Sequence, residues 1–507
     1  MTRAAGVLPG RSTRRFAIVR GAFLAGIVCW TAGRLWALQD GQAAFDLLGQ
    51  VDVSGAPVFT QSGINNSQGA TPNARGFRLA AGLALDPVAH RLFVSDAQNH
   101  RVLVFNLNAE NGLEDRTADV VLGQPNFSAN ASGNTAHSMS GPWAVAVDSS
   151  RERLYVADAG NNRVLVFNVS SPTNGMDATA VLGQTGFGLS GATRTVDGMS
   201  DPEGLAYDAD GRRLFVGDVG NRRVLVFDLA AVATGLSAAA VLGQSDFVSY
   251  TSAADQGHFV APYGLSYDSK SRRLFVSDSV AHRILVFDAA SVVNGEPAVG
   301  VLGQATFAGT SPGGPNRNRF NNPLGTAFDP ASGSLFVVDE VNARVLVFDV
   351  NRLDDGEDAV GVLGQPDFLT SNLATSAAGV SDPVSCFFDV SSRRLWVGEG
   401  SPNCRVVVHQ VFPFPSYAGP ATVRAYPNPF RSTAGNSSVT IDRLPAGAAV
   451  KIHALDGREV RELMADAFGS LTWDAKDAGG TSVPSGVYCG LATSGGDTKT
   501  FKIVIQR

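Results

Sequence analysis

A chain of 507 residues is longer than one ordinary domain, and a composition of 44% hydrophobic residues with 56 glycines and 24 prolines belongs to a folded protein rich in turns. Charged residues make up 17%, which suits strands better than long solvated helices, and the formal net charge is −6. That acidic balance excludes phosphate-driven binding of nucleic acid, which needs a positive face.

The N-terminus is the exception. Residues 1–37 carry Arg3, Arg11, Arg14, Arg15, Arg20 and Arg34 and no acid, so their loss would double the negative charge. After Arg20 comes the apolar run GAFLAGIVCWT (21–31), followed by small residues at Ala37, Ala43 and Ala44. The run is too short to span a bilayer and predicts a signal peptide over 1–37. Arg14 and Arg15 before Phe16 hint at twin-arginine export, and Val28 is too large for Cys29 to be a lipobox cysteine. An uncleaved anchor is the alternative. No later segment reaches transmembrane length, so the expected product is secreted and has no membrane span.

From residue 45 one phrase recurs six times: Leu92-Phe-Val-Ser-Asp96, Leu154-Tyr-Val-Ala-Asp158, Leu214-Phe-Val-Gly-Asp218, Leu274-Phe-Val-Ser-Asp278, Leu335-Phe-Val-Val-Asp339 and Leu395-Trp-Val-Gly-Glu399. The acidic ends are spaced by 62, 60, 60, 61 and 60 residues, the signature of a repeat fold. Before each phrase lies a segment ending in Asp, such as Gly-Leu-Ala-Leu-Asp86; after it comes Arg and an apolar run, such as Arg223-Val-Leu-Val-Phe227. Each unit therefore predicts three short strands. Their runs are continuously apolar, as in sheets covered on both faces, and a radial array of small sheets provides that cover.

A fourth strand follows at Val121-Leu-Gly-Gln124, Val181-Leu-Gly-Gln184, Val241-Leu-Gly-Gln244, Val301-Leu-Gly-Gln304 and Val362-Leu-Gly-Gln365. It is missing after the last unit and appears instead at the front, as Leu47-Leu-Gly-Gln50. The pattern predicts six sheets of four strands, the last completed by a strand from the other end of the chain. The phrase Pro-x-Gly-x-Ala-x-Asp, then Leu-Phe-Val-x-Asp-x-x-Asn-x-Arg-Val-x-Val-Phe, as in Asp158-Ala-Gly-Asn161-Asn162-Arg163, resembles the NHL repeat over residues 45–412. The resemblance implies an all-β, six-bladed β-propeller, usually a binding platform and in a minority of cases an enzyme. Departures are local: Ala281 stands at the motif Asn of the fourth unit, and Glu399 with one extra residue marks the sixth.

Residues 413–420 break the period and read as a linker. Beyond them, strand-like runs at 438–441, 449–454, 459–463, 470–473, 486–492 and 498–505 predict a β-sandwich. Tyr426-Pro-Asn-Pro-Phe430, Leu455-Asp-Gly-Arg458, Leu471-Thr-Trp-Asp474 and Ser485-Gly-Val-Tyr488 resemble the FlgD-type immunoglobulin-like domain and the C-terminal sorting domain of type IX secretion substrates. For residues 421–507 this implies an Ig-like domain that engages secretion machinery, with export to the surface or surroundings of a Gram-negative-type bacterium. A permanent structural module is the alternative.

The repeated pairs Asp96/Arg101, Asp158/Arg163, Asp218/Arg223, Asp278/Arg283 and Asp339/Arg344 flank a hairpin and are expected to pin register, at about 0.2–1 kcal/mol each if exposed. The Leu-Gly-Gln amide is expected to satisfy loop backbone. Positions that differ among equal units carry more information. At the channel rim these are Ala81, Trp143, Glu203, Tyr263, Leu324 and Val384; at the hairpin tips they are His100, Asn162, Arg222, His282, Ala343 and Cys404. Trp143, Glu203, Tyr263, Leu324, His100, Arg222 and His282 are the candidate ligand-binding set. A mixed apolar and aromatic rim, with five long loops on the same face, suits a peptide segment or a sugar ring. A plugged channel mouth with solvated tips is the alternative.

The enzymatic alternative is a metal-dependent propeller hydrolase or lyase, lactonase-like or streptogramin-lyase-like, with a channel site near Glu203. Calcium wants several converging oxygens and catalytic zinc about three ligands, whereas the rim offers one acid. No catalytic set, cofactor or metal site is read from the sequence, and a monomer is expected. A purely structural envelope protein is a third reading. Cys386, Cys404 and Cys489 are an odd count without a CxxC pair. A Cys386–Cys404 disulfide is chemically reasonable after export, but the two strands lie two inter-strand steps apart.

Overall fold

The computed structural model describes residues 40–507 apart from 352, 412–422, 427–429, 432–437, 443, 445–446, 456, 466–470 and 495–496. The leader expected over 1–37 and the linker expected over 413–420 lie outside the described residues. Strands dominate. The helical pieces described are the turn Ile64–Ser67 and the 3-10 turns Ala97–Asn99, Ala159–Asn161, Val219–Asn221 and Ser279–Ala281. No described helix is long and apolar enough to cross a membrane.

Each repeat unit folds as its apolar runs dictate. Pro202–Asp208, Arg213–Asp218, Arg223–Asp228 and Ala240–Leu242 form one antiparallel sheet in that spatial order, and five further four-stranded sheets accompany it. Successive residues Leu214, Phe215 and Val216 are all fully buried, because one side chain packs toward the preceding sheet and the next toward the following one. Rings join neighbouring sheets: Tyr155 stacks on Tyr207, Phe215 on Tyr267, Phe275 on Phe328 and Phe336 on Phe388, with centroids 5.2–5.8 Å apart.

The innermost strands pack in sequence, and the first, Ala80–Asp86, also meets the last, Pro383–Asp389, so the sheets surround a central cavity. This is a β-propeller. Crowding at the axis explains the glycine in the Pro-x-Gly phrase. A Cβ on Gly204 would lie 1.9 Å from the carbonyl oxygen of Tyr263, and one on Gly264 would lie 2.1 Å from that of Leu324. The second glycine, in Leu-Gly-Gln, has φ of +81° to +97° in all six copies, a region L residues avoid.

The displaced strand lies where the pattern predicts. Asp46–Leu48 pairs antiparallel with Arg405–Gln410, with Leu47 opposite Val407, and forms the outer edge of the sheet that contains Trp396.

The C-terminal residues form two sheets over one apolar core that includes Val450, Ile452, Trp473 and Ile503. Arg424–Tyr426, Val439–Asp442 and Leu471–Trp473 make the smaller sheet; Phe430–Arg431, Asp497–Gln506, Gly486–Ser494, Ala449–Ala454 and Glu459–Met464 make the larger. The six expected runs fall on strands. Arg424–Tyr426 and Phe430–Arg431 are additional, and the latter pairs in parallel with the final strand.

Candidate functional site

The acid–arginine pairs correct the expectation of exposed turn pairs. Asp96–Arg101, Asp158–Arg163, Asp218–Arg223, Asp278–Arg283, Asp339–Arg344 and Glu399–Arg405 are all fully buried, with N–O separations of 2.6–2.9 Å. The worth of an exposed pair therefore does not apply to them. The physical reason is that the long loops fold back over each hairpin and cover its arginine with backbone carbonyls.

Arg101 donates to the carbonyls of Asn73, Gly76 and Phe127, and Arg163 to those of Asn134, Thr135 and Ser138. Arg223 donates from Nη2 to Thr195 and Gly198 and from Nη1 to Phe247. Arg283 reaches the carbonyls of His258 and Phe307, and Arg344 those of Arg319 and Phe368. Asp218 in turn accepts from the backbone N–H of Ser200 and from the amide of Asn221. The Leu-Gly-Gln amides complete the frame: Gln244 donates to the carbonyls of Arg222 and Thr251, and Gln304 to those of His282 and Ser311. The guanidinium groups are thus spent on the fold, fixing tips and loops rather than offering charge to a ligand.

The tip residues adopt left-handed φ of 46–54°. This conformation turns their side chains toward the next sheet. Nδ1 of His100 accepts from the backbone N–H of Gly141, Oδ1 of Asn162 from that of Asp201, and Nδ1 of His282 from that of Asn322, at 2.8–3.0 Å. The Arg222 guanidinium lies over the ring of Tyr250, 5.0 Å from its centroid, beside that of Arg194 at 4.1 Å. His100, Arg222 and His282 therefore do not line the central cavity; they latch one sheet to the next or brace a loop.

The other four candidates do converge. Trp143, Glu203, Tyr263 and Leu324, with Ala81 and Val384, line a cavity of about 430 Å³ along the axis. Each is the second residue of an inner strand, so the repeat places all six at one mouth. Ala81, Leu324 and Val384 are buried, while Trp143 and Tyr263 are partly buried and pack against the same apolar cluster. Glu203 is 8% exposed, and its Oε2 has no hydrogen-bond partner. Burial, with the neighbouring charge of Asp201, pushes its carboxyl up to about 9. Burial and these same two acids push the Tyr263 phenol up to about 12. At neutral pH the mouth thus holds an uncharged carboxyl between an indole and a phenol.

Glu203 is legible in the sequence as the rim's single acid. Asp201, two residues ahead in Ser-Asp-Pro-Glu, carries no such signal of its own. Cys386 also lines the cavity; it, Cys404 and Cys489 are free thiols. Among the described residues there is no group of three or more His, Cys, Asp or Glu that could hold a metal ion. The long loops that follow the outer strands expose Phe187, Leu189, Val248, Tyr250, Leu369 and Leu373.

Residues 139–167 match the NHL repeat. At 22% identity, 310 residues align with the protein SUPPRESSOR OF QUENCHING 1, chloroplastic, of Arabidopsis thaliana, covering 58% of this chain and 27% of that protein. NHL repeat-containing protein 2 of Gallus gallus aligns over 174 residues at 27% identity, covering 32% of this chain and 23% of that one. The chain thus spans about a quarter of the length of the curated relatives it matches. Among solved structures, PorZ, a surface component of the type-IX secretion system of Porphyromonas gingivalis, is 17% identical with a TM-score of 0.38, over 84% of this chain and 51% of that one. A structural-genomics protein from Bacteroides thetaiotaomicron is 16% identical with a TM-score of 0.45, over 71% of this chain and 75% of that one.

Proposed function

We propose that residues 45–412 are a six-bladed NHL propeller that acts as a non-catalytic binding platform for a protein segment or a glycan, through the face that carries the hairpin tips and long loops. In this reading residues 1–37 are a leader removed on export. Residues 421–507 are a FlgD-type Ig-like sorting domain that engages secretion machinery and delivers the chain to the outer surface or surroundings of a Gram-negative-type bacterium.

One observation carries the proposal. Six structurally equivalent positions meet at the cavity mouth, and the chain fills them with Trp143, Glu203, Tyr263, Leu324, Ala81 and Val384 rather than with one repeated residue. A repeat that keeps its acid, Arg and Gln in every unit yet varies this ring treats the ring as a surface for recognition. Aromatic side chains there offer large apolar faces with a polar edge, and the exposed apolar loop residues enlarge the surface.

The test compares the full chain with the Trp143→Ala/Tyr263→Ala double variant on glycan and peptide arrays. Loss of the captured ligand by more than about tenfold at unchanged melting temperature supports the reading. Binding that is identical in the two proteins moves the site away from the mouth.

A further inference from the structure

This inference rests on the reading of the axial cavity as a binding site and assigns the chemistry of what enters it. Other buried acids of this propeller have partners. Asp96, Asp158, Asp218, Asp278, Asp339 and Glu399 are fully buried, and each has an arginine at 2.6–2.9 Å, while the buried Asp86, Asp268 and Asp389 accept from backbone N–H groups or serine hydroxyls. Glu203 differs from all of these. It is nearly as buried, its Oε2 has no partner, and among the described residues no lysine, arginine or histidine lines the cavity it faces.

The titratable groups around Glu203 make this asymmetry sharper. Asp201, on the same strand's approach, and the Tyr263 phenol, on the next inner strand, both interact with it, and the Cys386 thiol lines the cavity further round the ring. Trp143, on the preceding inner strand, is not ionisable. None of the groups named is a base, and the charge of Asp201 favours a cation at the mouth. The two rings at the mouth belong to strands on either side of the one that bears Glu203, and aromatic faces attract organic cations.

We infer that the cavity mouth binds an organic cation of the alkylammonium type, with Trp143 and Tyr263 as its aromatic walls and Glu203 as its counter-ion. Burial and the charge of Asp201 oppose ionisation of Glu203; such a group supplies the counter-charge that the buried carboxyl lacks and offsets the repulsion from Asp201. The cation arrives with its own charge and loses no proton. Glu203 starts as a neutral acid, so it gives its proton to solvent as the ion pair forms. One proton is released per cation bound at neutral pH, and none well above pH 9.

The experiment titrates the full chain with choline and with its neutral isostere 3,3-dimethyl-1-butanol, by calorimetry in two buffers of different ionisation enthalpy. Choline is expected to bind at least tenfold tighter than the alcohol, with close to one proton released at pH 7. Its affinity should rise about tenfold between pH 7 and pH 8 and level off near pH 9. Glu203→Gln should abolish both the proton release and the pH dependence. Trp143→Ala should weaken choline at every pH while leaving the proton count unchanged.

Equal affinities for the two probes, or a flat pH profile, overturns the inference. If a neutral glycan or peptide still binds through Trp143 and Tyr263 without proton release, the platform reading stands and the cation assignment falls. If no ligand of any charge depends on those two residues, both fall.

Discussion

The closing sheet and its five companions share one plan and differ in how they meet it. In the regular sheets all four strands are consecutive, the acid is Asp, and a five-residue step leads to its arginine, as from Asp218 to Arg223. In the closing sheet the fourth strand comes from the other end of the chain, and an extra residue lengthens the hairpin. Glu399 pairs with Arg405 at 2.9 Å and sits opposite it in the ladder, as Asp218 sits opposite Arg223, so the extra residue is taken up within the turn. The apolar row changes more. Where the regular sheets place Phe105, Phe167, Phe227, Phe287 and Phe348, the closing sheet has His409, fully buried and facing the backbone of Gln42. Burial pushes that imidazole down to about 4.

The most severe way to break the comparison is at the borrowed strand. Leu47 and Leu48 are fully buried in two different apolar clusters. Each replacement by alanine should cost about 2–5 kcal/mol, read as a lowered urea midpoint. The double variant should unfold in two steps if the closing sheet opens first. A single transition of unchanged slope would show that the sheets are held as one unit.

Arg223→Ala strands a buried carboxylate and three carbonyls in a regular sheet and should cost about 3–5 kcal/mol. Arg405→Ala, in the closing sheet, should cost a similar amount if the Glu399 network is equivalent. A loss below about 1 kcal/mol in chemical denaturation would mark that network as the weaker.

The smallest effect concerns acid. His409 has a folded value below its ordinary 6.5, so the unfolded chain takes up the proton first. Its contribution is complete above about pH 6.5 and falls as pH drops toward 4, by up to about 3 kcal/mol. His409→Phe restores the repeat residue and should remove this part of the pH dependence, measured as melting temperature between pH 7 and pH 4.5. A wild-type profile parallel to that of the variant would locate the acid sensitivity elsewhere.

The sheets were legible because the signals that specify them are local and repeated. Leu-Phe-Val-x-Asp places a strand wherever it occurs, and the displaced Leu47-Leu-Gly-Gln50 could pair only with the sheet lacking its fourth strand. The burial of Arg101, Arg163, Arg223, Arg283 and Arg344 with their aspartates was not legible. Their cover comes from loop carbonyls some 24–29 residues away, such as those of Thr195 and Phe247 around Arg223; Phe127, Phe247, Phe307 and Phe368 recur there in Leu-Gly-Gln-x-x-Phe, but it is their backbone oxygen that binds, and the side chain does not announce it. The tips failed for a related reason. His100 and His282 have the chemistry of ligands, but their partners are backbone N–H groups of Gly141 and Asn322, about 40 residues on, and a backbone group leaves no mark in a sequence. At the mouth the alignment of units sufficed, because Trp143, Glu203 and Tyr263 occupy equivalent positions in strands already assigned.

Borrowing a strand from the front of the chain also sets the order of assembly. Asp46 and Val408 are about 360 residues apart, whereas Val226 and Ala240, the same pairing in a regular sheet, are about 14 apart. By the logarithmic law for loops, joining the distant pair costs about 3 kcal/mol more in chain entropy. A ribosome, or a translocation pore, delivers nearly the whole toroid before Leu47 can meet Val407. Until then Asp46–Leu48 stands without its partner strand, and a chaperone that shields it would act in that interval.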